Sequence, residues 1–100
     1  MTEGSLVPPC WRAAFADALT LRWLDEDLLV FNALSGDTHL LTASGSALLQ
    51  GLLESPARAW KTPELARHLL SEEPSDTLLD QMQRSLNYLW QLGLIERVAS

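Results

Sequence analysis

The hydrophobic period of this chain turns from strand-like to helical between Leu41 and Thr42 and stays helical, and that change limits the folds open to it. Before it stand three short β-prone runs, Thr20-Leu21-Arg22-Trp23-Leu24, Leu28-Leu29-Val30-Phe31-Asn32 and Thr38-His39-Leu40-Leu41, each bounded by turn residues. The acidic turn Asp25-Glu26-Asp27 separates the first two. Leu34-Ser35-Gly36-Asp37 separates the second pair, with Gly36 free to take a positive φ. Strands joined by such short turns form an antiparallel meander.

After Leu41 the apolar residues recur at helical spacing. Thr42 or Ser44 caps a first helix whose stripe is Leu48, Leu49, Leu52 and Leu53, and Pro56 closes it. Thr62-Pro63-Glu64 starts a second helix, with a threonine cap, proline at the first helical position and an acid in the first turn. Ser75 or Asp76 caps a third helix, and Gly93 ends it as a left-handed residue. Leu78, Leu79, Met82, Leu86 and Leu89 form its core stripe. Strands followed by three helices make an α+β fold, not a βαβ repeat. Two segments stay open: 11–19 is a helix, a packed arm or a first strand, and 94–98 is a final strand or a packed tail. The first ten residues, with Pro8-Pro9, read as a flexible arm ahead of a single domain over 11–100.

Composition removes several functions. A chain of 100 residues with 47% hydrophobic content has one small core. Its apolar runs are too short to span a membrane, and its first residues lack the pattern of a signal peptide. Seven basic side chains against thirteen acidic ones leave a net charge of −6, a poor basis for gripping phosphates. The single cysteine, Cys10, excludes an internal disulfide and suits a reducing cytoplasm.

The residues that carry chemistry are few. His39, His68 and Cys10 show no metal-ligand spacing, so neither a metal nor a cofactor is expected. No glycine loop cradles a phosphate, and Asp25-Glu26-Asp27 reads as a solvated hairpin tip rather than an acid–base cluster. Ser35 and Ser44 have no histidine placed to activate them, and Cys10 falls in the arm. An enzyme is not expected. Four tryptophans, Trp11, Trp23, Trp60 and Trp90, are many for this size, and at least one is expected to line a partner's groove.

Several stretches carry a resemblance. Asp27-Leu28-Leu29-Val30-Phe31-Asn32, then Ser35-Gly36-Asp37-Thr38-His39-Leu40-Leu41, run into a helix of small residues. Thr62-Pro63-Glu64-Leu65-Ala66 and the ending Leu89-Trp90-Gln91-Leu92-Gly93-Leu94-Ile95-Glu96 follow. Over roughly residues 20–97 this resembles the PqqD family of peptide chaperones, also called RiPP recognition elements. The 35–41 stretch is most similar to the PqqD-like proteins of the HPr-rel-A system. The resemblance implies a three-stranded antiparallel sheet on three helices, a winged-helix-like arrangement. It further implies that the leader segment of a ribosomally made precursor peptide adds as a strand to the third strand, in the cleft beside the third helix. The chaperone then presents it to a modifying enzyme or an HPr-kinase-related protein.

Carried onto this chain, the strand is Asp37, Thr38, His39, Leu40 and Leu41, and the facing helix runs from Asp76 to Leu92. An open sheet edge is a template for strand addition whatever the family. On the helix, Gln81, Ser85 and Tyr88 share one rim, and Arg84 beside them is suited to pair with an acidic side chain of the leader. His39 reads as a strand residue packing beside Leu41 rather than a pH switch. The competing readings are a winged-helix nucleic-acid binder, disfavoured because Arg84 is the one basic residue of the third helix, and a structural subunit docked on a kinase-like partner. Edge strands leave monomer and homodimer both open.

Overall fold

A computed structural model describes residues 9–98. Its order is β1 (Cys10–Ala13), a 3-10 turn (Ala16–Ala18), β2 (Leu19–Leu24), β3 (Asp27–Asn32), β4 (Thr38–Leu41), α1 (Ala43–Leu53), β5 (Trp60–Lys61), α2 (Thr62–Leu70), α3 (Asp76–Gln91) and β6 (Ile95–Val98). The strands form two antiparallel sheets, ordered β2-β3-β4 and β5-β1-β6. The first is the expected meander, and with the three helices it makes the expected α+β fold.

The meander's turns follow from their residues. Leu24 pairs with Asp27, so the first turn is Asp25-Glu26 alone and Asp27 belongs to β3 rather than to the turn. Asp25 takes φ 57°, a conformation that aspartate tolerates. In the second turn Gly36 takes φ 80° and donates its N–H to the Asn32 carbonyl at 2.8 Å. The Asn32 side chain accepts from the Leu34 N–H at 3.0 Å, an Asx turn that holds the hairpin tip.

The second sheet corrects the sequence reading at several points. Cys10, placed in a mobile arm, is a buried residue of β1 and pairs with both Lys61 and Val98. The rest of the expected arm, residues 1–8, lies outside the described residues. The open segment 11–19 is strand and then 3-10 turn, and 94–98 supplies β6. β5 is two residues long and escapes detection by period, because its pairing is to a strand about fifty positions away in sequence. Thr62 is the first residue of α2, not its cap. The backbone N–H of Lys61 is instead satisfied by the Glu64 carboxylate at 3.0 Å, half of a capping box.

Helix α3 follows its sequence pattern most closely. The Ser75 hydroxyl accepts the Leu78 N–H at 3.2 Å. At the other end Leu94 N–H reaches the Leu89 carbonyl at 3.1 Å and Gly93 N–H the Trp90 carbonyl at 3.0 Å, the two bonds of a Schellman motif. Met82, Leu86 and Leu89 are buried, while Leu78 and Leu79 pack against the core's edge. The core joins these to Leu28, Val30 and Leu41 of the meander and to Leu48, Leu49 and Leu52 of α1. No helix among the described residues is long and apolar enough to cross a membrane.

Two substitutions separate the contributions. Leu86→Ala is expected to cost about 2–5 kcal/mol in denaturant unfolding, because the side chain is fully buried. Gly93→Ala is expected to cost about 1–2 kcal/mol, from φ 81° alone, since a Cβ there meets nothing within 4 Å.

Candidate functional site

Strand β4 ends its sheet, and its backbone has one side unpaired among the described residues. The register tells which groups are free. Asn32 donates to the Asp37 carbonyl at 2.9 Å, and the pairs Val30–His39 and Leu28–Leu41 follow at intervals of two residues. Hydrogen-bonded pairs alternate with non-bonded ones along an antiparallel ladder. His39 and Leu41 therefore spend their N–H and C=O groups on β3, and Thr38 and Leu40 turn theirs to the open side. Side chains alternate as well: His39 and Leu41 point toward the helices, Thr38 and Leu40 toward the outer face. Of the expected strand, Asp37 lies in the turn, and Leu41 is buried in the core.

Beyond the end of β4 a cavity of about 470 Å³ opens between α1, the end of α2 and the first half of α3. Ala47, Leu48, Leu69, Leu78 and Met82 give it apolar walls, and Gln81, Ser85 and Ser44 supply polar groups. The room comes from local sequence. The first turns of α1 read Ala43-Ser44-Gly45-Ser46-Ala47, with no long side chain to fill the space beside α3. Further along, Gly51 lets α2 close in: a Cβ there would stand 3.0 Å from Leu69, one wall of the cavity.

The expected helix rim is divided by this arrangement. Gln81 and Ser85 line the cavity, whereas Tyr88 is exposed one turn further on. Arg84 lies on the shoulder outside the lining, exposed and without an ion-pair partner among the described residues. The apolar lining residues of α1 and α2 were absent from the sequence expectation. The signal that could have found them is the run of small residues directly after an open strand.

His39 is half-buried, and its Nε2 has no hydrogen-bond partner. His68 is exposed and lies 3.4 Å from the Glu54 carboxylate, away from the cavity. Among the described residues no cluster of three His, Cys, Asp or Glu side chains could hold a metal ion. Trp11 and Trp60 are buried, and Arg58 covers the Trp60 ring at 3.5 Å. Trp23 and Trp90 are exposed, and none of the four lines the cavity.

No family model matches the sequence, and no curated protein matches it. Among solved structures, TbiB1 in complex with the TbiA(beta) leader peptide is similar, with a TM-score of 0.63 and 21% sequence identity. The match covers 85% of this chain and 94% of that one. It establishes a shared fold.

A buried polar atom without a partner costs more than a matching apolar surface. His39→Leu is therefore expected to raise stability at neutral pH by about 1 kcal/mol, read as a higher denaturant midpoint with an unchanged slope.

Proposed function

We propose that this chain is a non-catalytic chaperone that binds the leader segment of a ribosomally synthesised precursor peptide by strand addition to β4. The observation that carries the reading is the open edge of β4, followed in the chain by the small-residue start of α1 that forms one wall of an apolar cavity against α2 and α3. Main-chain bonds from Thr38 and Leu40 hold any extended peptide, and the cavity adds selectivity by admitting an apolar side chain. Gln81 and Ser85 offer it hydrogen bonds, while Arg84 and Tyr88 meet the peptide where it leaves the cavity. The fold shared with TbiB1, a protein solved with a leader peptide, supports the reading, as does the resemblance to peptide chaperones over residues 20–97.

Under this reading the chemistry belongs to a second protein, a modifying enzyme or an HPr-kinase-related partner, and the chain needs neither metal nor cofactor. Cytoplasmic location is part of the proposal and rests on the one free cysteine, Cys10. Phosphate binding finds little support on α3, where Arg84 is flanked by Asp76 and Asp80.

Amide exchange tests the register directly. In the free chain the Thr38 and Leu40 amides are expected to exchange rapidly, with His39 and Leu41 protected. Synthetic leader segments of the short peptides encoded beside the gene should slow Thr38 and Leu40 at least about tenfold. Ser85→Trp, which fills the cavity from α3, should weaken calorimetric binding by about tenfold or more. Binding without new protection in β4, or tight sequence-selective binding of DNA at moderate salt, would overturn the reading.

A further inference from the structure

We propose that the outer face of the β2-β3-β4 sheet is the docking surface for the peptide-modifying enzyme. That enzyme's contact region is apolar at its centre and rimmed by lysine or arginine. This rests on the leader-binding reading and adds a second surface to it.

The register sets the composition of the face. Its cross-strand rows are Thr20–Phe31–Thr38, Arg22–Leu29–Leu40 and Leu24–Asp27. The other face buries Leu28, Val30 and Leu41 against the core. Nothing among the described residues covers the outer one, where Leu24, Phe31 and Leu40 are 46%, 41% and 55% exposed. Single exposed apolar residues are ordinary on any protein, but a contiguous set on one sheet face marks an interaction surface. Leu29, half-buried between Arg22 and Leu40 in the middle row, joins the three into one patch, whereas the exposed Leu21 and Trp23 of β2 pair with Val30 and Leu28 and belong to the opposite face.

Charge selects the occupant. Asp25, Glu26 and Asp27 crowd one end of the face and Asp37 stands at the other, with Arg22 the single cation between them. A second copy of this chain would bring the same acids, and each whole chain already carries −6. Like charges facing each other oppose that pairing, while a cationic rim is attracted. The peptide supplies continuity. A strand added to β4 points alternate side chains toward the helices and toward the outer face, the latter in line with Thr38 and Leu40. On that face one protein can touch chaperone and leader together. By linkage, leader and enzyme then raise each other's affinity by the same factor.

The test uses the full chain and two outer-face variants that leave β4 intact, Leu24→Thr/Phe31→Thr and Asp25→Lys/Glu26→Lys. Each larger protein encoded in the same gene cluster is titrated against them by calorimetry, with and without saturating leader segments of the cluster's short peptides. One of these enzymes is expected to bind the wild-type chain about tenfold more tightly when the leader is present. Both variants should weaken that binding about tenfold or more, with leader affinity kept within about twofold. Enzyme binding indifferent to both variants, or no binding by any cluster protein, overturns the proposal. So does a wild-type dimer in sedimentation that the variants dissolve, since the occupant is then a second copy. If the variants lose the leader as well, the outer face belongs to the peptide site, and the proposal falls while the leader reading stands. Failure of every leader to bind the wild-type chain overturns the leader reading itself.

Discussion

The arrangement depends on the burial of Trp11. It is fully enclosed at the centre of β1, and an indole N–H placed there must find an acceptor. Thr62 provides it at 3.1 Å, and the same hydroxyl donates to the side-chain carbonyl of Gln83 on α3. One polar chain thus connects β1 to the first residue of α2 and to the middle of α3. Because β5 directly precedes α2 and β6 follows α3, pairing both with β1 clips together the two open ends of this helical hairpin. Arg97 on β6 adds its guanidinium over the Trp90 ring at 5.0 Å.

With α2 and α3 held in this way, α1 is left to bridge them to the meander. Its large residues, Leu48, Leu49 and Leu52, are buried, and its small first turns leave the cavity open at the end of β4. The same division leaves the meander covered on one face only. A sheet with a bare face and an open edge at β4, besides the one at β2, has unused recognition surfaces of two different kinds. The edge offers directional main-chain bonds that tolerate many sequences, whereas the face offers apolar area and charge, which discriminate between partners. The proposed role uses both, and the ion pairs elsewhere lie on neither. Arg12–Glu96, half-exposed between β1 and β6, and Arg67–Glu73, exposed beyond α2, are pairs of small energetic weight that involve no residue of the meander.

Much of this was legible one residue at a time. The meander, the α3 stripe from Leu78 to Leu89, the Ser75 cap and the Gly93 terminus all come from local rules, since period, capping and positive φ involve neighbours within a turn or two. The second sheet was not legible. Trp11, Trp60 and Arg97 sit together in its register, but their spacing along the chain carries no period that short-range reading can detect. The cavity was half legible. Gln81 and Ser85 share a helical face that the sequence displays, but Ala47, Leu48 and Leu69 join them only through helix packing, with Leu69 of α2 seated close to Gly51 of α1.

The sequence by itself determined the three-stranded meander, the three helices and the bias against phosphate, because turn chemistry, alternation and net charge are local or additive. Only the tertiary structure decided that Cys10 and Trp11 are core, that an apolar cavity forms between α1, α2 and α3, and that Leu24, Phe31 and Leu40 are left bare. Each of these depends on which elements meet across long stretches of chain. That choice is made by the collective burial of a few large side chains, with Trp11 foremost among them.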